Sequence, residues 1–267
     1  MSTDAPLEYV RSLARGLAVI GSFSDGRPAM TISMVAAETG LTRATARRIL
    51  HTLRQLGFVA AEGDLFRLTP KVLSIGYSYL SGLELPELAH PHMEQLVAQI
   101  HESSSLAILD RPDIVYVARV PTKRIMSVTL TVGTRLPAFA TSMGRVLLAE
   151  LPADELDALL GNDPLPALTS RTVGTPNELR EVLDQVRRQG YALTDQELED
   201  GLRSVAVPIR DARGQAEAAL NIAAHAGRIS TDTMLTDFLP RLRATASAIE
   251  ADLVHRPAGG WARTGMP

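Results

Sequence analysis

The sequence predicts an α+β chain of two domains: a small helix-rich N-terminal domain, a linker helix, and a larger domain in which strands and helices mix. Three observations predict it. Apolar residues recur at helical spacing from residue 9 to residue 54. Apart from one short hairpin, the mixed pattern of strands and helices sets in from residue 104, and prolines at 86 and 91 interrupt the stretch between the two regimes. The boundary is expected near Leu83.

Residues 9–23 predict a first helix with Val10, Leu13, Leu17 and Ile20 facing inward, and Asp25-Gly26-Arg27-Pro28 a loop. Thr31 can cap a second helix whose Ile32, Val35 and Ala36 share one face. Gly40 supplies the positive φ of a tight turn. Thr42 is the next N-cap, its hydroxyl accepting from the N–H of Ala44 or Thr45. In the third helix Ala46, Ile49, Leu50 and Leu53 form the buried stripe, with Arg43, Arg47, His51 and Arg54 on the opposite side. Residues 58–61 and 65–68 then predict two short strands around Glu62-Gly63-Asp64. Helix, turn, helix and hairpin together make a winged helix-turn-helix.

That segment points to DNA. No acidic residue occurs from Thr39 through Ala61. Thr42, Arg43, Ala44, Thr45, Arg47 and Arg48 occupy the cap and first two turns of the third helix, where such helices reach base edges. Arginine fits the O6/N7 edge of guanine bidentately, worth about 1–3 kcal/mol of discrimination per good contact. Arg67 on the wing is placed to meet a phosphate. Residues 1–70 carry eight Lys+Arg against six Asp+Glu, a balance of +2 in a chain of net charge −3. So modest a surplus suits a dimeric, sequence-specific binder of double-stranded operator DNA.

Thr69-Pro70 starts a linker helix over residues 71–83, despite Gly76. Pro86 and Pro91 predict a short helix and then a longer one within residues 85–102. Strands follow at 105–109, 114–120 and 125–130, with a turn over 110–113. Thr141 or Ser142 caps the helical turn 145–150. Thr175-Pro176-Asn177-Glu178 is a capping box that opens a helix ending at Gly190. Strands at 204–210 and 217–224, a helix over 231–254 bent at Pro240, and a mobile tail from 256 complete the chain. No internal repeat is present.

Composition narrows the class. Hydrophobic content of 45% and charged content of 21% are those of a globular protein. There is no apolar run long enough for a membrane span and no signal-peptide core at the N-terminus. With no cysteine, disulfides and thiolate metal sites are excluded and cytoplasmic residence is expected. No nucleophile elbow, HExxH, P-loop or dinucleotide-binding glycine pattern occurs. His90-Pro91-His92 is the only close histidine pair, and the intervening proline together with the lack of an acid-rich partner nearby argues against a metal site. Asp195, Glu197, Glu199 and Asp200 read as a solvated acidic face. Neither a catalytic site nor a cofactor is expected.

Five segments carry a family resemblance: residues 12–20 (SLARGLAVI), the helix-turn-helix, 136–149 (LPAFATSMGRVLLA), 190–211 (GYALTDQELEDGLRSVAVPIRD) and 218–223 (AALNIA). Over roughly residues 9–254 the chain resembles IclR-type bacterial transcriptional regulators. Residues 124–149 look more narrowly like the branch governing protocatechuate, 4-hydroxybenzoate and β-ketoadipate catabolism. The resemblance implies a winged helix-turn-helix over 1–70, a linker helix over 71–84, a GAF-like effector-binding domain over 85–256 and a flexible tail over 257–267. It also implies a homodimer or a dimer of dimers, and a small aromatic or aliphatic carboxylate as effector.

A helix N-terminus offers unpaired N–H groups to an anion, and the resemblance places the effector carboxylate against the backbone at Ser142 and Met143. Other family pocket positions correspond to Thr194, Leu202, Ser204, Asn221 and Ala223, with Thr194 standing where the family often has an acid. Leu130, Leu136 and Leu202 supply an apolar wall, and Arg203, ahead of Arg135, is the candidate second anchor. The competing reading is a DNA binder without effector. Its second domain would only dimerise, and its pocket would be packed shut by its own side chains.

Overall fold

The computed structural model describes residues 9–24, 26–80, 82, 84–122 and 130–254, with backbone alone for 77–80. The chain divides into two compact units, residues 1–82 and 83–267.

In the first unit α1 (Arg11–Gly21), α2 (Ile32–Thr39) and α3 (Arg43–Gln55) precede a hairpin of β1 (Val59–Glu62) and β2 (Leu65–Leu68). Thr31 Oγ1 accepts from Met34 N–H, capping α2, and Thr42 Oγ1 accepts from Thr45 N–H, capping α3. Between them Gly40 ends α2 at φ 66°, a conformation only glycine adopts without strain. Val35, Ala46, Leu50, Leu53, Val59 and Phe66 close over Val19 and Met30 as one core. The inward face of α1 departs from expectation. Leu13 and Leu17 are 63% and 55% exposed and Val10 lies outside, whereas Val19 is fully buried. The core takes hold of α1 only at its C-terminal end, through Val19, Ile20 and Phe23. A 3-10 turn (Pro70–Val72), capped by Thr69, leads into α4 (Leu73–Leu80).

The second unit opens with α5 (Glu84–Ile100), one helix where two were expected. Pro86 sits in its first turn, where a missing N–H costs nothing, and Pro91 is absorbed inside the helix. Leu85, Ala89, Met93, Leu96 and Ile100 bury its apolar stripe, a gain large enough to outweigh one lost backbone bond. Strands β3 (Ser103–Asp110), β4 (Asp113–Val120) and β5 (Arg135–Pro137) come next. The expected strand at 125–130 falls mostly outside the described residues. A 3-10 turn (Ala138–Ala140) then enters α6 (Ser142–Ala149), followed by α7 (Ala153–Leu160) and α8 (Pro176–Gln189). The capping box at Thr175 and Glu178 forms as written, and Gly190 ends α8 at φ 74°. Strands β6 (Ala192–Asp195), β7 (Leu202–Arg210) and β8 (Ala216–His225) complete a six-stranded antiparallel sheet of order β5-β4-β3-β8-β7-β6. The short α9 (Thr231–Thr233) continues into α10 (Leu239–Val254) through π-type turns at Met234–Phe238. The irregularity falls where Pro240 offers no N–H. The expected tail lies outside the described residues.

One sheet face packs on α5 and α10 through Leu106, Val205, Val207, Leu220, Leu242 and their neighbours. The other packs on α6 and α8 through Ala107, Ile114, Tyr116, Ala206, Ala219 and Met143. Alternation along each strand decides which side chain faces which helix pair. β4 breaks that alternation once: Leu106 pairs with Ala118 but Ala107 with Tyr116, leaving Val117 as the extra residue of a β-bulge.

Candidate functional site

Two sites are built, one in each unit. On α3, Ala46, Leu50 and Leu53 face the core, and Thr42, Arg43, Ala44, Arg47, Arg48, His51 and Arg54 are exposed, with Thr45 half-buried. Among the described residues the guanidinium groups of Arg43, Arg47, Arg48 and Arg54 make no ion pair or hydrogen bond. Arg67 on β2 pairs with Glu62 across the hairpin at 3.3 Å, both side chains well exposed. Such a pair is worth under about 1 kcal/mol and yields readily to a phosphate. The His51 ring meets Phe66 of the hairpin edge to face, tying α3 to the wing.

In the second unit a polar cluster lies under the N-terminus of α6. Thr141 is its N-cap, accepting from Gly144 N–H at 3.0 Å, which resolves the choice between Thr141 and Ser142. Ser142 instead turns to the sheet, its Oγ 2.6 Å from Ser204 Oγ. Asn221 Nδ2 donates to Ser204 Oγ at 3.1 Å, and Asn221 Oδ1 accepts from Ser105 N–H at 2.9 Å. All these side chains are buried, as are Met143 and Thr194. The N–H groups of Ser142 and Met143 take no acceptor among the described residues. The arrangement therefore presents two helix N-terminal donors and a hydroxyl–hydroxyl–amide chain that can rearrange its protons, the chemistry of an oxyanion receptor. In this conformation Ser142, Ser204 and Asn221 are closed on one another, so a ligand must part the 2.6 Å contact to reach them.

The sequence comparisons fit both sites. The model of the IclR helix-turn-helix domain matches residues 12–63, and that of the bacterial transcriptional regulator IclR C-terminal domain matches residues 77–251. The chain belongs to the IclR family. It is 45% identical over 253 residues to the Pca regulon regulatory protein of Pseudomonas putida, covering 94% of this chain and 86% of that one. It is 36% identical over 247 residues to the p-hydroxybenzoate hydroxylase transcriptional activator of Acinetobacter baylyi, with 91% of each covered. A crystal structure of an IclR homolog from Microbacterium hydrocarbonoxydans complexed with 4-hydroxybenzoate superposes with a TM-score of 0.80 at 28% identity, covering 91% of this chain and 98% of that one. Its relatives are regulators of transcription, not enzymes.

The alternation of β7 sorts the remaining candidates of this IclR regulator. Leu202, Ser204 and Ala206 share the α6 face with Thr194, Asn221 and Ala223, their cross-strand partners or near neighbours. Leu130 and Leu136 pack half-buried against the same face. Arg203 does not join them. One residue from Ser204, it points to the opposite face, where Asp195 receives it at 2.7 Å and the Ala226 and Ile229 carbonyls take its other donors. Arg135 is likewise held by Asp110 and Asp113. The acidic run is not simply solvated either. Asp195 holds Arg203 and Arg171, and Glu197 forms a bidentate pair with the buried Arg145, whose Nε also donates to the Phe139 carbonyl. His92 meets Asp252, a partner far along the chain that spacing does not reveal. No group of three metal-ligating side chains occurs among the described residues, nor does a helix long and apolar enough to cross a membrane.

Gly144 has a reason that its sequence neighbours hide. A Cβ there would lie 2.1 Å from the Ala138 carbonyl oxygen, so only glycine lets α6 start against the preceding turn. Tyr116 and Arg119 also stand on the α6 face, and the sequence offers no sign of it.

Proposed function

We propose that this IclR-family regulator controls genes of aromatic-acid catabolism and responds to a small carboxylate such as 4-hydroxybenzoate or protocatechuate. The buried Ser142–Ser204–Asn221 cluster at the start of α6 carries the reading, because it gathers oxyanion donors beside the open N–H groups of Ser142 and Met143. The descriptions of the Pseudomonas and Acinetobacter relatives, and the 4-hydroxybenzoate held by the Microbacterium homolog, support the ligand class.

DNA recognition falls to Arg43, Arg47 and Arg48, with Thr42, Ala44 and Thr45 near the base edges and Arg67 on the backbone. One recognition helix reads one half-site, so a second copy of the chain is needed for a two-fold operator. The exposed stripe of Val10, Leu13 and Leu17 on α1 is apolar surface suited to such a copy. Effector binding shifts the equilibrium between two arrangements, and α4 carries the change to half-site spacing. Couplings of this kind are typically worth about 1–3 kcal/mol. Residence in the cytoplasm follows from action on operator DNA.

A thermal-shift panel of 4-hydroxybenzoate, protocatechuate, β-ketoadipate, pyruvate, glyoxylate and neutral phenol tests the reading. Ligand at about 100 times its Kd stabilises by about 2.7 kcal/mol, a shift of several degrees. A shift with an aromatic acid and none with phenol is expected. No shift with any acid removes the aromatic-acid reading and leaves DNA binding untouched.

A further inference from the structure

The sheet face under α6 carries two polar side chains, Tyr116 and Arg119, that interact electrostatically with each other but have no hydrogen-bond or ion-pair partner among the described residues. Tyr116 is 4% exposed and its hydroxyl forms no hydrogen bond among the described residues. Arg119 is half-buried and likewise forms no ion pair or hydrogen bond among them. Three residues apart on a regular strand, the two would point to opposite faces. The extra residue Val117 brings both to one face, where bulges commonly re-aim side chains beside functional sites.

Cross-strand register places them against the cluster already described. Ser105 pairs with Arg119 on one side and with Asn221 on the other, so the three form one row across β4, β3 and β8. Tyr116, Ala107 and Ala219 form the neighbouring row. Two strand spacings, about 10 Å, separate the backbone of Arg119 from that of Asn221. The floor between is made of Ser105, Ala107 and Ala219, all small and buried. Burial lowers the Arg119 pKa, and it pushes that of Tyr116 up to about 12, so the phenol stays a neutral donor. Elsewhere in this unit buried guanidinium groups are matched, Arg145 by Glu197 and Arg203 by Asp195. Desolvated donors left unmatched on a small-floored face lack only an acceptor brought from outside.

We propose that Arg119 and Tyr116 form the far polar anchor of the effector site, binding a second acidic oxygen at the end of the ligand opposite the one held at α6. This rests on the carboxylate-sensing reading above and narrows it. The effector is a small organic acid with oxygen functions at both ends of a body the length of one ring or a six-carbon chain. Arg119 sets the specificity, because a ligand lacking the far oxygen leaves the guanidinium and the phenol unsatisfied.

Calorimetric titration of the full-length protein with two matched pairs tests it: 4-hydroxybenzoate against benzoate, and adipate against hexanoate. The wild type should bind the two-ended member of at least one pair about tenfold more tightly than its one-ended partner. Arg119→Gln should abolish that preference by weakening the binding of the two-ended acid about tenfold. Arg119→Lys should restore part of it, and the nearly isosteric Tyr116→Phe should reduce it. Equal binding of both members of each pair by the wild type overturns the proposal while the carboxylate-sensing reading stands. A preference that survives both Arg119→Gln and Tyr116→Phe overturns it as well. Binding of none of the four acids by the wild type overturns both.

Discussion

On α3 the guanidinium groups of Arg43, Arg47, Arg48 and Arg54 stand in solvent without an ion pair among the described residues, whereas in the second unit the buried Arg145 and Arg203 are each locked onto a carboxylate. The difference is one of purpose written in pairing. An exposed, unmatched cation loses little by waiting, because water solvates it until a phosphate or a guanine edge displaces that water. A buried one must be matched internally, since removing its hydration costs several kcal/mol unless a carboxylate replaces it. Arg119 belongs to neither class. It is half-buried yet forms no ion pair among the described residues, and that exception is what the proposed far anchor rests on.

The contrast can be broken by experiment, beginning where the effect is largest. Glu197→Gln strands the Arg145 guanidinium in a site where its side chain is only 3% exposed. A loss of about 3–5 kcal/mol is expected in urea unfolding of the second unit. A loss below 1 kcal/mol would mean that water already shares this pair. Gly144→Ala drives a methyl group against the Ala138 carbonyl and should cost at least about 2 kcal/mol, read as a lowered Tm together with weakened effector response.

Arg47→Ala should leave stability within about 0.5 kcal/mol of wild type. Operator affinity should nevertheless fall by about 1–3 kcal/mol in a gel-shift titration, with effector affinity unchanged. Equal loss of both affinities would refute the separation of the two surfaces. Ser204→Val removes the shared partner of Ser142 and Asn221. It should weaken the effector-dependent change in operator binding by about 1–2 kcal/mol while basal binding persists; an unchanged response removes Ser204 from the site. Smallest of all, Arg241→Ala breaks an exposed i,i+4 pair with Asp237 and should cost no more than about 0.5 kcal/mol. A larger loss there would show that the paired arginines of this unit are not sorted by burial.

Much of the DNA-reading unit was legible because its determinants are local. The Thr31 and Thr42 caps, the Gly40 turn and the α3 stripe each depend on residues within four positions of one another. The capping box of α8 was legible for the same reason. The inward face of α1 was not, because periodicity cannot say how far along a helix the core extends, and here it stops short of Leu17. Pro91 misled in the opposite sense, a breaker by local rules and tolerated because the rest of α5 is buried on both sides of it.

The sequence by itself determined the winged helix, its arginine-lined recognition helix and the helix N-terminus at α6 through short-range spacing, and the family through resemblance. Only the tertiary structure decided which polar residues of the second unit meet. Arg203 beside Ser204 was turned away by strand alternation, and Arg119 was turned to the α6 face by one extra residue in β4. The face a strand residue occupies depends on pairing register along strands far apart in the chain, and a single bulge inverts it for every residue beyond.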